Sequence, residues 1–84
     1  MKRITVRYFA SIREAVGQGS EQVQTSAATL GALRDELIAR GGAHASSLAR
    51  GKAVRMALNQ VLSDETAVLI DGAEVAFFPP VTGG

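Results

Sequence analysis

The residues of this chain best suited to chemistry are its last two, Gly83 and Gly84. Because glycine has no Cβ, a terminal glycine offers its carboxylate and carbonyl carbon to a partner's active site with little steric hindrance. Pro79 and Pro80 fix φ near −65° and favour an extended path. We therefore predict that residues 79–84 form an extended, flexible tail that reaches roughly 20 Å from the rest of the protein. Gly84 is the candidate reactive residue.

The segment before Gly84 is slim enough to enter a narrow channel in another protein. It consists of Pro79, Pro80, Val81, Thr82 and Gly83. A substrate group held at the end of such a segment becomes a nearly intramolecular reactant once the segment is inserted. We predict that these five residues form the part of the tail that a partner receives.

Composition limits the classes of protein to which this chain can belong. Its 84 residues are 46% hydrophobic and contain no cysteine, so we predict one domain, residues 1–78, with one modest core and no thiolate metal site. The net charge of +1 and the 5% aromatic content argue against nucleic acid as a partner. Neither a signal peptide nor a run long enough to span a bilayer is apparent, so we expect a cytoplasmic protein with no membrane partner.

Hydrophobic periodicity predicts five strands and one main helix. Alternation predicts a half-buried first strand whose core face carries Ile4, Val6 and Tyr8. An apolar stripe with Thr29 as N-cap predicts the helix. Ser11, with Glu14 three residues later, predicts the N-cap of a further short helix. The predicted strands are 3–9, 21–25, 53–58, 61–62 and 73–78; the predicted helices are 11–16 and 29–40; residues 43–51 are predicted to be a loop with a helical turn.

The order of these elements predicts an α+β fold in which one main helix packs on one face of a mixed sheet of about five strands. The connection through the helix allows the first strand to pair in parallel with the last. This is the β-grasp, or ubiquitin-like, arrangement. The segment 63–70 is ambiguous, and Arg55 places a charge in an otherwise apolar strand.

Four residues are candidates for a partner interface. Phe77 and Phe78 alternate across the last strand, so at most one of them should face the core, and the other is a candidate anchor. Phe9 is equally compatible with the core and with an interface. Arg13 could contact a partner, or it could be a solvated charge or pair within the chain with Glu14 or Glu36.

Other polar residues are better explained by structure than by chemistry. Lys52 and Arg55 could meet an acidic partner but are more simply exposed charges. His44 has no second ligand at metal-binding spacing and is predicted to be an ordinary loop residue, so no metal site is expected. The segment 17–19 lacks the lysine of a phosphate-binding loop and is predicted to be a turn. The chain is thus predicted to have no active site of its own.

At four places the sequence resembles one family. The segments DGAEVAFFPPVTGG (71–84), YFASIRE (8–14), TLGAL (29–33) and ALNQ (57–60) are similar to the small subunit of molybdopterin synthase, the sulfur carrier of molybdenum-cofactor biosynthesis. The resemblance extends over the whole chain, and the tail is its most specific part.

This resemblance implies a mechanism. An E1-like adenylyltransferase would use ATP to adenylate the Gly84 carboxylate, and a sulfur donor would convert the glycyl adenylate to a thiocarboxylate (1-thioglycine). The tail would then enter the large subunit and give its sulfur to cyclic pyranopterin monophosphate, which forms the dithiolene of molybdopterin. The implied assembly is a heterotetramer of two small and two large subunits. The chain would act as the sulfur-donating subunit of a sulfurtransferase, with no bound cofactor.

Three other functions remain open from the sequence. The chain could carry sulfur for thiamine synthesis or tRNA thiolation by the same chemistry. It could be a ubiquitin-like modifier that forms isopeptide bonds with lysines. Its Pro79–Pro80 segment could instead be a polyproline ligand, in which case a blocked C-terminus would leave its function intact.

Overall fold

The structure is a computed structural model that describes residues 1–80. Each predicted strand is present, with end points that lie within two residues of those predicted. The elements, in chain order, are β1 (Lys2–Tyr8), α1 (Ala10–Val16), β2 (Ser20–Thr25), α2 (Leu30–Ile38), α3 (Gly42–Leu48), β3 (Arg55–Leu58), β4 (Val61–Ser63) and β5 (Glu74–Phe78).

The five strands form one mixed sheet in the order β2-β1-β5-β3-β4. β1 and β5 pair in parallel, with Tyr8 opposite Phe77, and the other neighbours are antiparallel. A parallel pair needs a long crossover connection, which the helices and the β3–β4 hairpin supply here. The predicted α+β, β-grasp arrangement and its parallel pair are confirmed.

The core lies between one face of the sheet and the helices. Ile4, Val6 and Tyr8 are at most 1% exposed, as the alternation of β1 predicts. From α2, Leu30, Leu33 and Leu37 pack against this face. No helix within residues 1–80 is long and apolar enough to cross a membrane.

The sequence prediction missed the third helix. Residues 42–48 form α3, where the sequence predicts only a loop with a helical turn over residues 43–51, so α3 joins the main helix α2 in covering the sheet. Leu48 is fully buried, and the Arg34 guanidinium donates hydrogen bonds to the carbonyl oxygens of Leu48 (2.8 Å) and Ala49 (2.9 Å). Arg34 lies outside the apolar stripe of α2, yet it is only 4% exposed. The guanidinium thereby supplies donors to carbonyl groups at the C-terminal end of α3, where the helix itself offers no amide partner; the Ala49 oxygen also accepts from the Lys52 amide (2.9 Å).

The two helix caps had different outcomes. Thr29 caps α2 as predicted, since its Oγ1 accepts a hydrogen bond from the amide of Ala32 (3.2 Å). The prediction that Ser11 caps α1 is wrong, because the helix begins at Ala10 and its N-cap is Phe9, which forms no side-chain cap hydrogen bond. The strand therefore passes almost directly into the helix, and Ser11 lies in its first turn.

The partly buried Glu21 carboxylate connects β1 and β2 with α3 and with the chain just after α2. Glu21 accepts hydrogen bonds from the Tyr8 hydroxyl (2.7 Å) and the Arg40 guanidinium (2.8 Å), and it lies 3.1 Å from Nε2 of His44. His44 is thus part of α3 rather than a loop. Burial disfavours the charge on Glu21, but the bonds from Arg40, Tyr8 and His44 outweigh burial and lower its pKa to about 2. Burial, with the negative charge of Glu21, raises the pKa of Tyr8.

This cluster predicts an acid-dependent loss of stability. Because the folded-state pKa of Glu21 is lowered from 4.5 to about 2, its contribution to stability is present above pH 4.5 and is lost as the pH falls towards 2. We expect Glu21→Gln to lower the free energy of unfolding by about 1–3 kcal/mol at neutral pH, measured by urea denaturation. The deficit should shrink as the pH falls. Glu14→Gln, at an exposed position, is the matched control; an equal deficit for Glu21→Gln at every pH would contradict the assignment.

The two adjacent phenylalanines of β5 predict unequal effects on stability. Phe77 is 0% exposed and stacks on Tyr8, with ring centroids 6.3 Å apart, whereas Phe78 lies on the opposite face and is only half-buried. Phe77→Ala should cost about 3–5 kcal/mol of unfolding free energy because it leaves a core cavity. Phe78→Ala should cost clearly less. Denaturation of both variants checks this prediction. Equal losses of unfolding free energy would contradict the assignment of Phe77 to the core face and Phe78 to the outer face.

Candidate functional site

The candidate site lies where the chain leaves the sheet. β5 ends at Phe78, and the half-buried Pro79 and Pro80 follow it. Because β5 lies between β1 and β3, the end of β5 is paired with a neighbouring strand on each side. Phe77 is opposite Tyr8 of β1 on one side and opposite Met56 of β3 on the other. The start of the tail is therefore fixed to the centre of the sheet.

The reactive part of the predicted site falls outside the described residues. This holds for Gly84 and for Val81, Thr82 and Gly83. Pro79 and Pro80 lie inside the described range.

The two phenylalanines at the end of β5 face opposite sides of the sheet. At most one was predicted to face the core, and the structure confirms this. The assignment of Phe77 to a partner interface is wrong, because its side chain is 0% exposed and cannot reach another protein. Phe78 lies on the outer face, which the helices do not cover, and remains the candidate anchor of the pair.

A groove runs across this outer face beside Phe78. It has a volume of about 730 Å³, and we call it the tail-base groove. Its walls come from β1, β5, the start of α1 and the β3–β4 turn, and both prolines of the tail belong to them. The lining residues are Arg7, Phe9, Ala10, Gln60, Glu74, Ala76, Phe78, Pro79 and Pro80.

Phe9 belongs to this groove and not to the core. Its side chain is 38% exposed, and the Arg7 guanidinium lies 5.2 Å from the centre of its ring, a cation–π distance. Arg7 also lies 3.9 Å from the Glu74 carboxylate, on the neighbouring strand. These contacts hold an aromatic ring at the groove's edge, where a partner could bury it.

The structure does not bring Arg13 to the groove. Arg13 is exposed on α1, and its guanidinium packs beside Gly19, since a Cβ added there would lie 3.3 Å from Nε of Arg13. Within residues 1–80 it forms no ion pair with Glu14 or Glu36, so the predicted intramolecular pairs are absent from the described part of the chain.

Sequence reasoning missed five contributors to the groove: Arg7, Ala10, Gln60, Glu74 and Ala76. A signal for two of them was available, because the alternation that buries Val6 and Tyr8 directs Arg7 outwards, and β5 places Ala76 outwards in the same way. Gln60 lies between the predicted strands 53–58 and 61–62, where Asn59 and Gln60 form a turn with φ values of 49° and 69°.

The groove can bind but has little capacity for catalysis. Its wall contains one arginine and one carboxylate, which lie close enough to pair with each other. Among residues 1–80, no group of three or more histidine, cysteine, aspartate or glutamate side chains could hold a metal ion. The arrangement suits recognition of a protein surface at the base of the tail.

Comparisons with known proteins agree with this geometry. The chain is 44% identical to the molybdopterin synthase sulfur carrier subunit of Escherichia coli over 81 residues, which covers 96% of this chain and 99% of that protein. It is 40% identical to the protein of the same name from Haemophilus influenzae, with the same coverage.

Solved structures with the same fold include a putative molybdopterin converting factor subunit 1 from Pyrococcus furiosus (TM-score 0.79, 26% identity, 96% of this chain and 100% of that chain). Another is a complex of subunits 1 and 2 of the molybdopterin-converting factor from Helicobacter pylori (TM-score 0.66, 28% identity, covering 98% of this chain and 99% of that chain). SAMP1 from Haloferax volcanii also matches (TM-score 0.78, 25% identity, covering 98% of this chain and 99% of that chain).

The sequence also matches the ThiS family over residues 6–84, which includes all of β5, the tail-base groove and the two terminal glycines. With a match of this extent and with relatives at 40% identity or more along the whole chain, this protein belongs to the ThiS family.

Proposed function

We propose that this protein is the sulfur carrier subunit of a molybdopterin synthase and that Gly84 carries the sulfur as a thiocarboxylate. The observation that carries the proposal is the 44% identity, over nearly the full length of both chains, with a protein named as that subunit. The position of the tail supports it, since Pro79 and Pro80 leave the centre of the sheet beside a groove suited to a protein partner.

The chemistry requires activation, because a carboxylate is a poor acyl donor. In the proposed route a carboxylate oxygen of Gly84 attacks the α-phosphorus of ATP, and pyrophosphate leaves. A sulfur nucleophile then adds to the acyl carbon, and AMP leaves, so that one difficult step becomes two easier ones. An E1-like adenylyltransferase supplies the active site, and the cytoplasm supplies the ATP.

The large subunit of the synthase is the proposed acceptor. Inserting the tail holds the thiocarboxylate against cyclic pyranopterin monophosphate, and two successive carriers deliver the two sulfurs of the dithiolene. The structure from Helicobacter pylori, which contains subunits 1 and 2 of the molybdopterin-converting factor, supports a partner of this kind. We propose the same heterotetramer of two small and two large subunits that the sequence resemblance implies.

Intact mass spectrometry tests the role of Gly84. After incubation with an E1-like activating enzyme, ATP and sulfide, the chain should gain about 16 Da, because sulfur replaces one oxygen. The gain should disappear when large subunit and cyclic pyranopterin monophosphate are added. Deleting Gly84, or adding one residue after it, should abolish both the gain and molybdopterin synthesis.

The matched control is the same one-residue extension placed before Met1, which is 91% exposed and should have no effect. A mass gain that persists with the pyranopterin substrate would instead indicate a carrier for another acceptor, as in thiamine synthesis or tRNA thiolation. Conjugates of higher mass would indicate a protein modifier. Molybdopterin synthesis by the chain without Gly84 would disprove the mechanism.

The tail-base groove predicts a defect in docking that leaves stability nearly intact. Phe78→Ser should weaken binding to the large subunit by about tenfold or more, because an aromatic anchor at an interface commonly contributes 2 kcal/mol. Calorimetric titration measures this. Val68→Ser is the matched control, since Val68 is 69% exposed but does not line the groove. Equal affinity for both variants would exclude the groove as the docking surface.

A further inference from the structure

A second cleft, distinct from the tail-base groove, lies at the base of the tail. It has a volume of about 210 Å³ and is bounded by α1, α3 and the segment before β3. Three serines and one lysine contribute to it, and Pro79 forms part of its wall. We call it the Lys52 cleft.

The polar groups of the Lys52 cleft have spare capacity for hydrogen bonding. The hydroxyls of Ser11 and Ser47 form no hydrogen bond with residues 1–80. No buried side-chain polar atom in that range lacks a partner, so the Ser47 hydroxyl is open to solvent although the residue as a whole is only 9% exposed. Within the same range the Lys52 ammonium has no ion-pair partner. Ser46 alone is engaged, donating to the Ala43 carbonyl oxygen at 3.3 Å.

The charges on the two sides of the tail base differ. The tail-base groove contains the Glu74 carboxylate, which lies 3.9 Å from Arg7 and would repel a second anion. No aspartate or glutamate of the described chain lines the Lys52 cleft. An ammonium with neighbouring hydroxyls and no carboxylate is the donor set that a small oxyanion requires.

We propose that the Lys52 cleft is a carboxylate-binding site and that its occupant, when no partner holds the tail, is the chain's own C-terminal carboxylate. The proposal rests on the proposed function in one respect, the free carboxylate at Gly84. Pro79 already lines the cleft, and the five residues that follow it can span up to about 17 Å, enough to return to Lys52. So short a tether gives the carboxylate an effective concentration in the millimolar range.

The consequence is a reversible resting place for the reactive end of the chain. A partly exposed ion pair is weak, so a partner that encloses the whole tail displaces it readily. While it is bound, the carboxylate is withheld from the activating enzyme. Removing the ammonium should therefore release the tail without altering the domain.

Nuclear magnetic resonance on the full ¹⁵N-labelled chain tests this inference. The amide signals of Ser47 and Lys52 should shift as the Gly84 carboxyl group titrates, and residues 82–84 should show restricted motion in heteronuclear NOE measurements. Both effects should be lost in Lys52→Gln. Arg55→Gln is the matched control, because Arg55 is a nearby exposed cation that does not line the cleft.

A chain whose C-terminus is converted to a primary amide separates the two possible sources of carboxylate. It should lose the pH response of Ser47 and Lys52, and added acetate should then shift those signals saturably. If acetate binds but the unmodified chain shows no response to its own terminus, the tail is not the occupant and the proposal fails. If neither acetate nor the terminus shifts the signals, there is no carboxylate site. These measurements do not depend on sulfur transfer, so they can fail or succeed independently of the proposed function.

Discussion

The rest of the structure depends on the parallel pairing of β1 and β5. In a parallel pair the carboxyl ends of both strands lie at the same edge of the sheet, so Tyr8 is opposite Phe77 and the two strands end together. The amide of Phe9 then donates to the Phe77 carbonyl oxygen (3.1 Å), which fixes the start of α1 beside the start of the tail. Both surfaces at the tail base, the tail-base groove and the Lys52 cleft, follow from this one juxtaposition. An antiparallel partner would have directed the tail to the opposite edge.

Local sequence patterns predicted the features that depend on neighbouring residues, but few of the others. Local patterns of side chains predict the core face of β1, the opposite directions of Phe77 and Phe78, and the cap at Thr29. One of the two interface phenylalanines predicted on β5 is wrong, because alternation says that two neighbours differ but not which one is buried. That choice is fixed by register, Phe77 being paired with Met56 on β3 and Tyr8 on β1.

Tertiary contacts explain what the sequence could not show. α3 has one large buried apolar residue, Leu48, and its end is held by Arg34, a side chain that a helical pattern assigns to solvent. Glu21 likewise looks like a surface residue of an edge strand until Arg40 and His44 meet it from later elements. Such buried polar contacts join residues far apart in sequence, and a periodicity argument has no access to them.

These polar contacts also bear on function, because α3 contacts both the Glu21 cluster and the cleft beside the tail. His44 of α3 lies against Glu21, and Ser47 of α3 lines the cleft that Pro79 borders. A helix of seven residues has little stability of its own, so its position depends on Arg34 and on the Glu21 cluster. The contribution of the domain to the proposed chemistry is therefore to position the base of the tail. The domain holds the base of the tail between the proposed docking surface and the proposed resting site, and the proposed reaction takes place in the active sites of the partners.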